Sequence, residues 1–321
     1  MDVLDVYNVS DITYMDLNPA NFIELTNHEI ESKFTPNPPN NLEIHRTTTY
    51  NVAIFIKFSK VDNLKGVNFN EKVYFPKDEE SLGPVNSQLC ILFKNEWNRI
   101  PNFIKFYKRV HNVDRFLLYD NNSDEKPSTE ILEDPSVIYI PWSVPYKHLL
   151  TDKSKLSPDY TGPDEIIIAQ NSAYSHALKK YHTATWTIFL DTDEFVVRRS
   201  GNPSLKSILE STLPSTDTLI IRGFWAGCNK FQKNEVYENL RRISKRSTKF
   251  CMNKLILRTR QHMFTDCIHR AYKTEGSTTM LGFDKGIYFF HLYTLSEKRK
   301  GCDCRQYCNT NDRSLIESYF Y

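Results

Sequence analysis

The chain of 321 residues carries 41 Lys and Arg against 39 Asp and Glu, a net charge of +2, with 40% hydrophobic and 13% aromatic residues. That length allows one large α/β domain or two small ones, and the aromatic content excludes a disordered chain. The balanced charge leaves no electrostatic footprint for nucleic acid, and apolar runs as short as 52–56 and 166–169 fall far below the ~20 residues of a membrane-spanning helix.

Residues 1–16 are acidic and lack the basic start and apolar core of a secretory signal. The expectation is a cytoplasmic protein or, for a virus-encoded chain, one of the host cytoplasm. Residues 1–86 hold strand-like runs at 50–58 and 72–75 between proline-marked breaks at 36–39 and 82–84. They read as a small β-rich N-terminal extension. Residues 87–321 form the second, larger domain.

Within it, 88–93 is a short apolar run suited to a buried strand, and Trp97, Ile100, Ile104 and Tyr107 then fall at helical spacing. Pro101 sits in the first turn of that helix, where its missing N–H costs nothing. Strands follow at 115–119 and 137–140, a helix over 163–181, and a strand at 186–190. This alternation predicts an α/β fold with a mostly parallel central sheet flanked by helices. Further strands are expected at 218–222, 251–257 and 286–291, and the basic stretch 241–260 reads as a solvated face. Seven scattered cysteines point to free thiols in a reducing compartment, and the spacing of Cys302, Cys304 and Cys308 lacks the paired pattern of a zinc site.

The strongest chemical signal is Trp186-Thr-Ile-Phe-Leu-Asp191-Thr-Asp193-Glu194-Phe195, an apolar strand running directly into carboxylates. In open α/β sheets ligands sit beyond the carboxyl ends of the strands. In extended chain the side chains of i and i+2 point the same way, so Asp191 and Asp193 are expected to face one site. Paired carboxylates suit Mn2+ or Mg2+ when phosphate and water complete the shell. A solvated acidic turn is the plainer alternative.

Other segments add to this signal. Cys90-Ile-Leu-Phe-Lys-Asn95-Glu96-Trp97, then Phe103 to Tyr107, then Val113 through Tyr119-Asp120-Asn121-Asn122-Ser123 resemble the opening of glycosyltransferase family 92 and its family 2-like GT-A relatives. Gln170-Asn171 with Tyr174 and His176, the Asp191 motif, and His291-Leu-Tyr293 with Ser296 continue the resemblance in order. Trp225-Ala-Gly227 and the short Cys-rich tail depart from it, at the cost of any reading of acceptor specificity.

The resemblance implies a GT-A, Rossmann-like fold and sugar transfer from a nucleotide-diphosphate donor to a glycan or other hydroxyl acceptor. A UDP-hexose, galactose favoured, and inversion are the expectations. Asp191 and Asp193 hold the cation, with His291 as third ligand and His269 as the competing histidine. Glu96, Asp120, Asn121, Gln170 and Lys298 are the candidate donor contacts, against plainer readings as helix charge, turn chemistry or exposed face. Asp193 is a catalytic candidate through the cation it holds, and the catalytic base is open among Glu235, Glu238 and Asp266. A haloacid dehalogenase-like phosphatase and a non-catalytic sugar-nucleotide-binding module are the alternative functions.

Overall fold

The computed structural model describes residues 2–9, 12–46, 53–62, 65–74, 76–78, 82–153, 163–198, 202–227, 245–250, 253–261, 265–267, 270–271, 276–282, 286–292 and 310–311. A central sheet of seven strands organises the chain, in the order Val137–Pro141, Arg115–Asp120, Val85–Phe93, Ala184–Phe189, Lys254–Arg258, Thr216–Ile221, Ser277–Leu281. The first four are mutually parallel, as the β/α alternation predicts. Lys254–Arg258 runs antiparallel to both of its neighbours.

The strands divide their residues between two cores because successive side chains leave opposite faces. Leu89, Ile91, Phe116, Leu118, Ile188 and Ile256 share one buried cluster, while Cys90, Leu117, Tyr119, Phe189, Leu255 and Leu257 share the other. The first face is covered by the helix Ile100–His111, which buries Phe103, Phe106 and Tyr107 against Phe195. Pro101 lies in its first turn, and Asn112 in the left-handed conformation (φ 54°) ends it. The second face is covered by the helix Ala169–Lys180, which is buried from Ala169 through Lys179.

That helix is shorter than the sequence predicts. Glu165–Ile167 is instead a strand paired antiparallel with Lys147–Leu149. The isoleucine run 166–168 explains the difference, since β-branched side chains favour a pleated strand over a first helical turn.

The N-terminal region is β-rich, as expected, but its principal hairpin was not legible. Val3–Val9 pairs with Ile12–Leu17 within a five-stranded sheet that also holds Glu43–Arg46, Ile54–Ser59 and Lys77–Asp78. Its apolar side shares the second core with the helix Ala169–Lys180. Carboxylates of the hairpin grip that helix: Asp16 Oδ1 lies 2.8 Å from Lys179 Nζ, and Asp5 pairs with His176 at 3.1 Å and with Lys180.

A second five-stranded sheet holds Glu194–Arg198, Ile287–Leu292, Gly223–Gly227, Lys245–Phe250 and Thr310–Asn311. Gly286 launches the Ile287–Leu292 strand with φ +68°, and a Cβ there would fall 1.7 Å from Asn202 Nδ2. Among the described residues no helix is long and apolar enough to cross a membrane.

Candidate active site

The site forms where the strand Ala184–Phe189 ends. Asp191 does not continue in extended form: Glu194 N donates to Asp191 O at 3.1 Å, closing a turn over 191–194. Asp191 and Asp193 therefore face different partners, in contrast to the expectation from extended chain. Asp191 Oδ2 accepts from Lys254 Nζ at 2.6 Å and Oδ1 accepts from Gln170 Nε2 at 2.8 Å. Asp193 Oδ2 lies 3.2 Å from His291 Nε2.

Register explains why a histidine 98 residues away arrives there. Glu194 and His291 are direct partners in the antiparallel pairing of Glu194–Arg198 with Ile287–Leu292, and Leu292 N donates to Asp193 O at 2.8 Å. The ligand atoms of Asp193, Glu194 and His291 all lie within 4.8 Å of one another. Glu194, only 1% exposed, is the hub: Oε2 accepts from Lys254 Nζ at 3.0 Å and from Asp191 N at 2.9 Å, and Oε1 lies 3.5 Å from His291 Nδ1.

Electrostatics follow from this crowding. Burial raises the Glu194 carboxyl to about 7, with Lys254 opposing and the two aspartates reinforcing the shift. Burial acts to lower Lys254, but Asp191 and Glu194 overcome it and hold the ammonium well above the ordinary lysine range. His291 is likewise raised: burial opposes its charge, and the bond and charge of Asp193, with Glu194 behind, outweigh it.

The other candidates fall into two groups. Glu96, on the loop before the helix Ile100–His111, accepts from Thr192 inside the turn and pairs with Arg99 at 3.2 Å. Burial raises its carboxyl. It thus braces the turn through Thr192, while Lys254 holds Asp191 and Glu194. Gln170, at the start of its helix, donates to Asp191 and to Tyr174 Oη. Asp120 and Asn121 stand at a neighbouring parallel strand end and are spent on local structure. Asp120 accepts from Ser123 N at 2.9 Å, and Asn121 Nδ2 donates to Trp142 O and Val144 O at 2.8 and 2.6 Å. His269, Glu238, Lys298 and the three tail cysteines lie outside the described residues. Asp266 falls in the short strand Thr265–Cys267, whose side chains are not described.

Two central residues were missed in the sequence. Glu194 adjoins the aspartates but reads as one more charge of an acidic turn. Lys254 was absorbed into a basic stretch taken for a solvated face, whereas its side chain is 2% exposed. Its signal was position, a lone cation opening the apolar run Leu255-Ile256-Leu257.

Residues 88–292, from the first strand of the central sheet to the strand that carries His291, match the sequence model of glycosyltransferase family 92. The chain belongs to glycosyltransferase family 92. No curated protein matches it. Similar solved structures include S. aureus TarS 1–349, at 12% identity and a TM-score of 0.34, covering 65% of this chain and 61% of that one. They also include the bifunctional glycosyltransferase WbbM, at 12% identity and a TM-score of 0.26, covering 49% of this chain and 26% of that one. The galactosyltransferase LgtC with donor and acceptor sugar analogues overlaps at 12% identity and a TM-score of 0.26, covering 54% and 58% of the two chains. This chain thus spans less than two-thirds of each of these structures. These overlaps are partial; the sheet topology and the family define the fold. The family and the sheet topology bear out a GT-A type fold with a β-rich N-terminal region.

Proposed function

We propose that this family 92 enzyme is a metal-dependent hexosyltransferase. Its donor is a UDP-hexose, with galactose first among the candidates, its acceptor a hydroxyl of a glycan or glycoconjugate, and the transfer inverts the anomeric carbon. The observation that carries the reading is the convergence of Asp193, Glu194 and His291 beyond a parallel strand end. Hard carboxylate oxygens beside a borderline imidazole nitrogen fit Mn2+, and less closely Mg2+.

Asp193 and His291 are the protein ligands of this proposal, with Glu194 against them and Asp191 held back by Lys254 and Gln170. A bound divalent cation would supply positive charge against the diphosphate leaving group. His291 would have to be neutral to serve as a ligand, and the Asp193 carboxylate beside it favours the imidazolium, so proton and metal would compete for the imidazole. Glu96, through Thr192, and Glu194, through the Asp191 N–H, fix the turn on which Asp193 rides. Asp120 and Asn121 shape the loop that borders the nucleoside.

The test is a screen of nucleotide sugars against metal-stripped protein, with Mn2+ titrated back and the anomeric configuration of the product read by NMR. Mn2+-dependent release of UDP with a configuration opposite to that of the donor is the expected result. Full turnover after chelation overturns the metal assignment, and a retained configuration overturns inversion.

A further inference from the structure

The one antiparallel strand of the central sheet brings a cation to the carboxyl ends of the parallel strands. Because Lys254–Arg258 runs against Ala184–Phe189, with Ile188 opposite Ile256, its first residue lies at the edge where the parallel strands finish. Continuing that register sets Lys254 beside Leu190, one residue before Asp191. A parallel strand would have brought its last residue there.

Resting on the reading of a divalent-cation site, we infer that Lys254 is a positioning residue that acts as a built-in counter-charge. It holds Asp191 out of the metal's ligand set and tunes the charge of the cluster to a divalent ion. Asp191 has one oxygen on Lys254 at 2.6 Å and the other on Gln170 at 2.8 Å, while Lys254 also reaches Glu194 at 3.0 Å. With Glu194 ionised and His291 neutral, the states that a bound cation favours, three carboxylates and one ammonium leave a charge of −2, which one divalent cation cancels. Without the ammonium the cluster stands at −3, and Asp191 is released toward the ion.

A charge cycle read by Mn2+ binding, with free Mn2+ followed by electron paramagnetic resonance and no sugar donor present, tests this. Lys254→Met is expected to tighten Mn2+ binding at least tenfold, and Asp191→Asn to weaken it at least tenfold. The double variant, again at −2, is expected to return within threefold of wild type. A thermal melt on each variant confirms folding. A double variant as weak as Asp191→Asn alone shows Asp191 to be a direct ligand and overturns the inference, as does unchanged binding by folded Lys254→Met. If Lys254→Met does not fold, the comparison of Asp191→Asn with the double variant still decides. Absence of Mn2+ binding by the wild type overturns it outright. A protein that follows the cycle but transfers no sugar refutes the hexosyltransferase reading and leaves the assignment of Lys254 standing.

Discussion

Asp16→Asn offers a sharp test of how the N-terminal hairpin secures the helix Ala169–Lys180. Lys179 Nζ sits 2.8 Å from Asp16 Oδ1, with both side chains nearly inaccessible (2% and 6% exposed), and 4.0 Å above the Phe55 ring. Tyr7 Oη donates to the other Asp16 oxygen at 2.8 Å. Asparagine keeps the shape and an acceptor for Tyr7, and its amide NH2, which cannot accept, then faces Lys179, so the substitution removes the charge and the acceptor that the ammonium meets. An unpaired buried ammonium costs about 3–5 kcal/mol, but Lys179 has an escape, because it can shed its proton. Burial already lowers its pKa even with Asp16 present. Neutralising a lysine of ordinary pKa ~10.4 at pH 7 costs about 1.36 × 3.4, or roughly 4.6 kcal/mol, which caps the penalty. At pH 9 the cap is about 1.9 kcal/mol. The sign follows from proton counting: in the variant the unfolded chain binds the proton that the folded chain has lost, so stability rises with pH up to ~10.4. Urea unfolding of wild type and variant at pH 7 and pH 9 measures this. A penalty below ~1 kcal/mol at pH 7, or one that does not shrink at pH 9, refutes the argument. Because the helix that carries Lys179 also carries Gln170 to Asp191, the same variant should lose transfer activity before it loses its fold.

Three other outcomes are expected. Asp193→Ala should lower Mn2+-dependent transfer by at least a hundredfold while leaving the melting temperature near wild type, since its side chain lies at a loop edge; activity within threefold of wild type across a Mn2+ titration would remove Asp193 from the site. His291→Ala should raise the Mn2+ requirement more than the donor requirement measured at saturating metal. In the wild type, Mn2+ affinity should fall as pH drops through a value above the ordinary ~6.5 of imidazole, because Asp193 and Glu194 outweigh burial and raise His291; a Mn2+ titration with no pH dependence between 6 and 8 contradicts this. His111 is buried neutral, its Nε2–H donating to Val196 O at 2.7 Å and its Nδ1 accepting from Leu205 N at 3.3 Å, and burial lowers its pKa to about 4. Its folded pKa lies below the unfolded ~6.5, so stability present above pH 6.5 is lost as pH falls toward 4, by about 3 kcal/mol for this group. His111→Gln should flatten that part of the urea-derived stability curve relative to wild type, and parallel curves would disprove it.

The sequence by itself determined what is local or repetitive. Apolar runs at 88–93, 115–119, 137–140 and 186–190 become four of the parallel strands, because a strand in the middle of such a sheet needs an apolar run and little else. Spacing and Pro101 located the helix Ile100–His111, and the run of carboxylates after 190 marked the turn where Asp193 and Glu194 meet His291. Tertiary structure alone decided which charges meet. The hairpin Val3–Val9 with Ile12–Leu17 was hidden because its inward positions include Asp16, a carboxylate that belongs in a core only because Lys179 comes to meet it. Lys254 was hidden for the same reason: its burial depends on Asp191 and Glu194, 63 and 60 residues away in the chain, and on the strand direction that carries it to their edge. His291 was legible as a strand end, but its contact with Asp193 depends on the register of Glu194–Arg198 against Ile287–Leu292. A slip of one residue there would turn the imidazole to the other face of the sheet. Propensity and periodicity are properties of neighbours along the chain, whereas charge pairing and register are set only when distant segments are already in place.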